Sequence, residues 1–367
     1  MNILILGSNG FIGKNLHTHL KLKKKKVFSI TKKTSKKDFK LKVNKADVIY
    51  HLAGSNREKN DKNFHKNNVD LTKKLYDAME HKRKNVKIIY ASTIHFNKDN
   101  IYGKTKKKSE NILRKINNKN TKVIILRLPN IFGKWSKPNY NSAIATFCYK
   151  ISRGLNVNLK INKKINLYYI DDLVNFLVGL LKINFTTNKV ITHFKNVKQI
   201  NLKLIIDKLY YFKNLDCNEL PKNISDSFIK KLYATFIYFS PRKSLNCKIK
   251  KNIDERGEFA ELVKSKKIGQ FSFLKIYPNK IRGNHFHNTK IEYFFILKGT
   301  VKFYYTDLYD NKKNSFTVNE QNIKRVVSIP GVLHKIKNIG NKDALLVIWS
   351  NEIYDVNKPD TYNFIKK

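Results

Sequence analysis

The chain predicts an α/β domain built on a doubly wound parallel sheet, followed by an all-β domain. Three observations predict this. The apolar run Ile3-Leu4-Ile5-Leu6 leads directly into Gly7-Ser8-Asn9-Gly10-Phe11-Ile12-Gly13. Short apolar runs then alternate with amphipathic stretches as far as about residue 240. From Lys248 onward that alternation stops, and β-type runs follow one another between Gly, Asn, Asp and Pro with no helical period between them.

In the first part, Val27–Ile30, Ala46–Leu52, Val86–Ala91 and Val123–Leu128 read as strands. Strands covered on both faces lose the polar–apolar alternation and become continuous apolar runs. Val69–Lys82, with Leu71, Leu75 and Ala78 on one side, and Tyr102–Ile116 read as the helices between them. Asn141–Ser152, Asp171–Leu181 and Ile200–Phe212 read as helices of a substrate-side region. In the second part, Phe271–Tyr277, Tyr293–Leu297, Val301–Tyr305, Arg325–Ile329 and Ala344–Trp349 are short strands, which suit an antiparallel sandwich or barrel. Ser240-Pro241-Arg242 through Cys247 reads as the linker, giving domains 1–243 and 248–367. No internal repeat is present.

Composition excludes several classes. Of 367 residues 41% are hydrophobic, with 23 Phe and 19 Tyr, which is too apolar for a disordered chain. Cys148, Cys217 and Cys247 share no CxxC spacing and read as reduced thiols of a cytoplasmic protein. The apolar start is too short for a signal peptide and lacks a basic lead and a cleavage site. No apolar stretch approaches bilayer length, so no membrane insertion is expected. The formal charge of +48 invites a nucleic-acid reading. However, 66 of the 75 basic residues are lysines, spread from Lys14 to Lys367, and only nine are the arginines favoured for reading base edges. That distribution describes a solvated surface and no specific nucleic-acid site.

The glycine ladder carries the first chemistry. Gly7, Gly10, Phe11, Ile12 and Gly13 sit between a strand and a helix, where a tight turn lets the backbone approach a pyrophosphate. The helix N-terminus there supplies free N–H groups. A carboxylate ends the second strand of many NAD enzymes, but here that place reads Ser29-Ile30-Thr31-Lys32-Lys33. Two cations and no acid suit a 2′-phosphate, so NADPH is preferred over NADH at Thr31 and Lys32, although lysine is common throughout the chain. Tyr102-Gly103-Lys104-Thr105-Lys106 places a phenol and an ammonium at i and i+4, where the cation can ready the phenol for proton transfer. Four Tyr-x-x-x-Lys pairs occur, at Tyr102, Tyr309, Tyr354 and Tyr362, so spacing alone selects none. Position selects Tyr102, which opens a helix shortly after Ser92-Thr93 at a strand end.

The second chemistry lies in His285-x-His287, Glu292 and His334, the last behind Pro330-Gly331. Two histidines at i and i+2 on a strand share a face, and residues from neighbouring strands can converge on them. Three imidazoles and a carboxylate suit a divalent ion such as zinc. Of ten histidines, only these three lie beyond residue 200.

On these residues the N-terminal part resembles the extended short-chain dehydrogenase/reductases, which have a Rossmann fold. His51-Leu52-Ala53-Gly54, Asn68-Val69 and Leu128-Pro129-Asn130-Ile131-Phe132-Gly133 match that family's landmarks. The resemblance implies that Tyr102 is the general acid, Lys106 its electrostatic partner and Thr93 the hydroxyl that orients a ketone. Ser92 is the alternative to Thr93. Leu52, Ala53 and Gly54 would join Tyr102 and Lys106 against the cofactor, while Asn130 and Lys134 would face the substrate. The C-terminal part resembles the cupins, which are jelly-roll barrels, although Pro330 and Gly331 are adjacent where cupins place a residue between them.

A further similarity overlaps this one. Asp254-Glu255-Arg256-Gly257-Glu258-Phe259-Ala260-Glu261 and Arg282-Gly283-Asn284-His285 resemble signatures of nucleotide-sugar 3,5-epimerases. Those are cupins without metal, in which this histidine is the base, with Arg256 and Arg282 as substrate contacts. His285 therefore has two candidate roles, metal ligand and base. The order of the two halves resembles the bifunctional UDP-sugar enzymes of bacterial capsule and O-antigen synthesis. That likeness extends to Phe132-Gly133-Lys134-Trp135 and the tail Pro359-Asp360-Thr361-Tyr362. It implies C3 epimerisation of a UDP-2-acetamido-2,6-dideoxy-hexos-4-ulose, then C4 reduction with NADPH to UDP-2-acetamido-2,6-dideoxy-L-talose. A homodimer or larger homo-oligomer is expected. The alternative is a monofunctional NADPH-dependent 4-keto-sugar reductase whose cupin is structural or dimerising.

Overall fold

Alternate residues of the first strand enter two different cores, which is why its sequence is apolar throughout. Strand β1 (Asn2–Leu6) sends Ile3 and Ile5 to one face and Leu4 and Leu6 to the other, all fully buried. A computed structural model describes every residue except 59, 80–84, 117–119, 141, 160 and 364–367. The chain forms two compact units, Met1–Lys213 with Lys231–Pro241, and Asn214–Lys230 with Arg242–Lys367. Among the described residues no helix is long and apolar enough to cross a membrane.

The first unit runs β1, α1 (Phe11–Leu22), β2 (Lys26–Ile30), α2 (Lys36–Lys45) and β3 (Val48–His51). A helical stretch follows, comprising α3 (Asp61–Phe64), a π turn over His65–Asp70 and α4 (Leu71–Met79). Next come β4 (Val86–Thr93), α5 (Ile101–Arg114), β5 (Thr121–Leu128), β6 (Asn130–Phe132) and α6 (Ala143–Ile151). The unit continues with β7 (Lys164–Tyr169), α7 (Ile170–Gly179), β8 (Lys189–Ile191), β9 (Lys198–Asn201) and α8 (Leu202–Lys213). Helix α9 (Ser227–Phe239) contributes its later residues.

The main sheet has the order β2-β1-β3-β4-β5-β8, and every pairing is parallel. One core packs α1 and α7 on one face, through Leu16, Leu20, Leu173 and Leu177. The other packs α2, α4 and α5, through Val43, Leu75 and Leu113. The chain leaves β1 toward β2 on one side and returns through β3 on the other. This switch point opens a crevice at the strands' C-terminal ends, where ligands of such sheets bind. A small sheet, β6-β7-β9, lies beside it.

Two helices carry no clear signal in the sequence. Helix α2 buries only Val43, and Ser35 starts it by accepting a hydrogen bond from Asp38 N–H at 3.1 Å. Helix α9 buries Ile229, Leu232, Thr235, Phe236 and Phe239 along one face, but Ala, Tyr and Ile share its other face with two lysines, so its polarity pattern is weak in sequence. The last residues of the helix expected over Val69–Lys82, and the first of that expected over Asn141–Ser152, lie outside the described residues.

The second unit is all-β. Its strands are β10 (Lys251–Asp254), β11 (Gly257–Ser265), β12 (Gly269–Ile276), β13 (Ile281–Phe286), β14 (Glu292–Lys298) and β15 (Thr300–Asp307). They are followed by β16 (Lys313–Asn319), β17 (Arg325–Val327), β18 (Val332–Asn338), β19 (Ala344–Ser350) and β20 (Tyr362–Asn363). Two antiparallel sheets, β10-β11-β12-β19-β14-β17 and β16-β15-β18-β13-β20, enclose a core that includes Ile276, Ile296, Phe303, Ile336 and Leu346. The cupin-type double sheet expected from the motifs is therefore present. Strand β18 shows its cause, since Val332, His334, Ile336 and Asn338 alternate inward while Lys335 and Lys337 point out. Residues 214–230 join this unit through backbone bonds between Asn218, Leu220 and Lys264.

Candidate active sites

The ladder glycines close the first turn as the spacing predicted. A Cβ at Gly13 would lie 2.1 Å from the Gly7 carbonyl oxygen, so α1 can start so close to β1 only with hydrogen there. Gly10 precedes α1, and no side chain caps that helix. Its free N–H groups face a cleft of about 1350 Å³ in the first unit. Gly10, Phe11, Ile12, Leu52 and Gly54 line this cleft, as do Ser92, Thr93, Tyr102, Lys106 and Asn130. Gly7, Gly13 and Ala53 lie behind it as packing, with Ala53 against Gly7. Thr31 follows β2 and folds locally onto Thr34, and Lys32 is exposed beside it. Lys134 is absent from the cleft lining and pairs instead with Asp171.

Helix α5 positions the reactive pair. Asn100 caps it by accepting from Gly103 N–H at 2.8 Å, which fixes where Tyr102 emerges. The Tyr102 phenol is hydrogen-bonded to Thr93, and burial pushes it up to about 12 against that bond, so it holds its proton. Lys106 is 5% exposed and donates to the Ala91 carbonyl at 2.7 Å. Burial pulls its ammonium down to about 8, opposed by the charge of Glu110. Ser92 is occupied differently, donating to Glu110 at 2.5 Å. The structure thus turns Thr93 toward Tyr102 and Ser92 away from it. Of the other tyrosines with this lysine spacing, Tyr309 is 98% exposed, and Tyr354 and Tyr362 also lie at the surface.

Glu110 had no mark in the sequence reading. It is 1% exposed and takes Arg127 in a two-pronged contact, at 3.2 and 2.8 Å, besides Ser92. One carboxylate therefore ties the helix bearing Tyr102 and Lys106 to the ends of β4 and β5. Its spacing, one turn beyond Lys106, was the available signal. Asn68, on the π turn, holds the backbone of Ser55 through bonds of 2.8 and 3.0 Å and meets Thr105 at 3.1 Å. It thereby fixes the loop at Gly54 over Lys106.

In the second unit, His285, His287, Glu292 and His334 converge, with one ligand atom from each within 4.8 Å of all the others. Register explains the meeting. His285 on β13 pairs directly across from His334 on β18, after a bulge between Gly283 and His285. Gly283, at φ +82°, makes the bulge possible, because a Cβ there would lie 2.9 Å from the His334 carbonyl oxygen. Glu292 Oε2 lies 3.3 Å from His287 Nε2 and 3.5 Å from His334 Nε2, and Lys290 is 3.0 Å from its other oxygen. Burial would raise the Glu292 carboxyl, but His287, His334 and Lys290 outweigh it and hold it well below the usual range. Burial and the neighbouring imidazoles pull His285 down to about 3, leaving its ring neutral.

The donor set fits a divalent cation. His287 Nδ1 donates to the Asp360 carbonyl, so Nε2 is the ring nitrogen turned toward the cluster, beside Glu292. His334 Nδ1 is buried without a hydrogen-bond partner among the described residues. Arg256 and Arg282 both grip Asp254, with Arg282 bridging its two oxygens at 3.0 and 2.9 Å.

A switch-point cleft with a glycine turn and a half-buried tyrosine paired by spacing with a buried lysine defines a dinucleotide-dependent enzyme of the short-chain class, here joined to a cupin-type double sheet. The chain belongs to the NAD dependent epimerase/dehydratase family, whose pattern matches residues 3–191. Residues 252–362 match the polysaccharide biosynthesis C-terminal domain. The chain is 33% identical over 365 residues to UDP-2-acetamido-2,6-beta-L-arabino-hexul-4-ose reductase of Pseudomonas aeruginosa, covering 99% of this chain and 98% of that one. The crystal structure of the capsular polysaccharide assembling protein CapF from Staphylococcus aureus matches with a TM-score of 0.88 and 34% identity, covering 100% of both chains. The spore coat polysaccharide biosynthesis protein SpsL of Bacillus subtilis is 27% identical over 123 residues, covering 31% of this chain and 82% of its own.

Proposed function

We propose that the protein is a bifunctional nucleotide-sugar enzyme of polysaccharide assembly. Its second unit inverts C3 of a UDP-2-acetamido-2,6-dideoxy-hexos-4-ulose, and its first unit reduces the C4 ketone with NADPH. The product is UDP-2-acetamido-2,6-dideoxy-L-talose. The observation that carries this reading is the pairing of two complete side-chain sets on one chain that a 4-keto-sugar reductase matches from end to end.

In the reduction, the Tyr102 phenol gives its proton to the ketone oxygen, while a bound nicotinamide would supply the hydride to C4. Thr93 donates to the same oxygen and orients it. The Lys106 ammonium stabilises the tyrosinate left behind, and a proton from solvent restores the phenol. The high proton affinity of half-buried Tyr102 suits an acid that must arrive protonated. The glycine turn would hold the pyrophosphate, with Leu52 and Gly54 in the cleft lining and Ala53 packed behind them, and Thr31 and Lys32 would meet the 2′-phosphate. Asn130 faces the sugar. Lys134 pairs with Asp171 outside the cleft lining and takes no part in this reading.

In the epimerisation, a base removes the C3 proton, the charge spreads onto the C4 oxygen as an enolate, and a proton returns from the opposite face. His285 is the base this chain offers, with Arg256 and Arg282 toward the nucleotide. His285, His287, Glu292 and His334 would hold a divalent cation such as zinc, which when bound supplies Lewis-acid polarisation of a carbonyl. Epimerisation beside a ketone is reversible, and reduction removes the ketone and traps the product. We place the enzyme in the cytoplasm as a homo-oligomer, with the working boundary between the two activities at residues 243–248.

The test is incubation with the UDP-4-keto-6-deoxy sugar in D2O. Deuterium should enter C3 without NADPH, and NADPH should be consumed only when it is added. Absence of C3 exchange, or turnover with unchanged stereochemistry in His285→Ala, would leave a monofunctional reductase with a structural cupin.

A further inference from the structure

The C-terminal segment 351–363 supplies none of the four clustered side chains, yet it braces the stretch that carries three of them. Asp360 presents its carboxylate to three consecutive backbone N–H groups, those of Asn288 at 3.0 Å, Thr289 at 2.7 Å and Lys290 at 2.8 Å. The Thr289 hydroxyl adds a fourth donor at 3.1 Å. Those residues form the turn between His287 and Glu292. The carbonyl of the same Asp360 accepts from His287 Nδ1. Two residues later β20 pairs Tyr362 with Phe286 and Asn363 with His285, and the Tyr362 ring stacks on Phe286 with centroids 5.3 Å apart.

Each of these contacts fixes a variable that a cation site needs fixed. The bond from His287 Nδ1 keeps a proton on that nitrogen and turns Nε2 toward the cluster, the nitrogen that would ligate a cation. The carboxylate closes the 288–290 turn, and that turn sets how far Glu292 stands from His287. The β20 pairing holds the strand end bearing His285.

We propose that Asp360 is a positioning residue of the histidine–glutamate cluster, presetting through the 288–290 turn and its own carbonyl the geometry in which the cluster grips a divalent cation. This rests on the metal reading given under Proposed function. The test uses the full chain stripped with a chelator and titrated with zinc against a competing chromophoric chelator. Wild type should take one zinc per chain. Asp360→Ala should bind about 10- to 100-fold more weakly, the range found when support behind metal ligands is removed. Asp360→Asn should fall between, because its amide keeps one acceptor oxygen for the turn. Asp355→Ala is the control, since among the described residues Asp355 bonds within its own turn, to Asn357 and Lys358.

A second readout is thermal. The rise in unfolding temperature that zinc gives the wild type should shrink in Asp360→Ala by more than the apo proteins differ. If Asp360→Ala does not fold, Asp360→Asn is decisive, and wild-type affinity in it overturns the proposal. Equal zinc affinity in folded Asp360→Ala and wild type also overturns the proposal while leaving the metal reading intact. A wild-type chain that takes no zinc overturns both.

Discussion

The two units solve the same problem, that of bringing chemical groups together, by opposite means. In the first unit the groups are near one another in sequence. Tyr102, Lys106 and Glu110 follow at intervals of four on α5, and the ladder glycines span seven residues. Helix periodicity does the convergence there, so one local element sets most of the geometry. In the second unit His285 and His334 are far apart in the chain and meet only because β13 and β18 pair in one register. A slip of one residue would turn the histidines to the other face. Local sites should therefore respond to side-chain changes, and register-built sites to anything that disturbs the backbone.

The largest expected effect isolates the first unit's proton donor. Tyr102→Phe should lower NADPH-dependent reduction by about 10²- to 10⁴-fold, the usual contribution of a positioned acid. C3 exchange measured in the same preparation should stay at the wild-type rate, and a matching loss there would break the separation of the two sites.

The next effect is a pH dependence. Lys106 has its folded-state value lowered to about 8 by burial, from an ordinary 10.5. Below pH 8 the ammonium is charged in both states and its burial penalty is fully present. Between pH 8 and 10.5 the unfolded chain binds more protons, so stability rises with pH. Relative to Lys106→Met, wild type should gain about 3 kcal/mol across that window, read by urea unfolding at several pH values. Tyr102, raised to about 12, works in the opposite sense above pH 10.

Glu110→Gln comes next. It leaves Arg127, largely buried, without its carboxylate and should destabilise the first unit by about 2–3 kcal/mol. Because the helix bearing Tyr102 loses its charged tie to β5, kcat should fall more than KM rises. Unchanged stability would sink the idea that this carboxylate joins the elements. The smallest effect concerns cofactor choice. Lys32→Ala should raise the KM for NADPH by about tenfold and leave that for NADH unchanged, as expected for one lost charged contact to a phosphate.

Much of the fold was legible because its signals are local. Continuous apolar runs marked β1, β3, β4 and β5, and the glycines marked the turn before α1. Weak signals failed where little surface is buried or where polarity does not alternate, as in α2 and α9. Short strands such as β6, β8 and β20 carry too few residues to show a period. The four cluster residues were legible from type and spacing. Glu110 and Asp360 were not, since a lone acid in sequence shows nothing of what it faces.

By itself the sequence determined the order of the two units, the glycine turn after β1 and the side chains that meet in the first cleft and in the histidine–glutamate cluster, because helix spacing, strand alternation and glycine sterics act over a few residues. Only the tertiary structure decided that Thr93 and not Ser92 faces Tyr102, since that depends on where the Glu110 carboxylate lies. It alone showed that His334 meets His285 across a bulge, and that the C-terminal tail braces the turn at 288–290. These are facts of register and burial, set by contacts between residues that the chain itself keeps far apart.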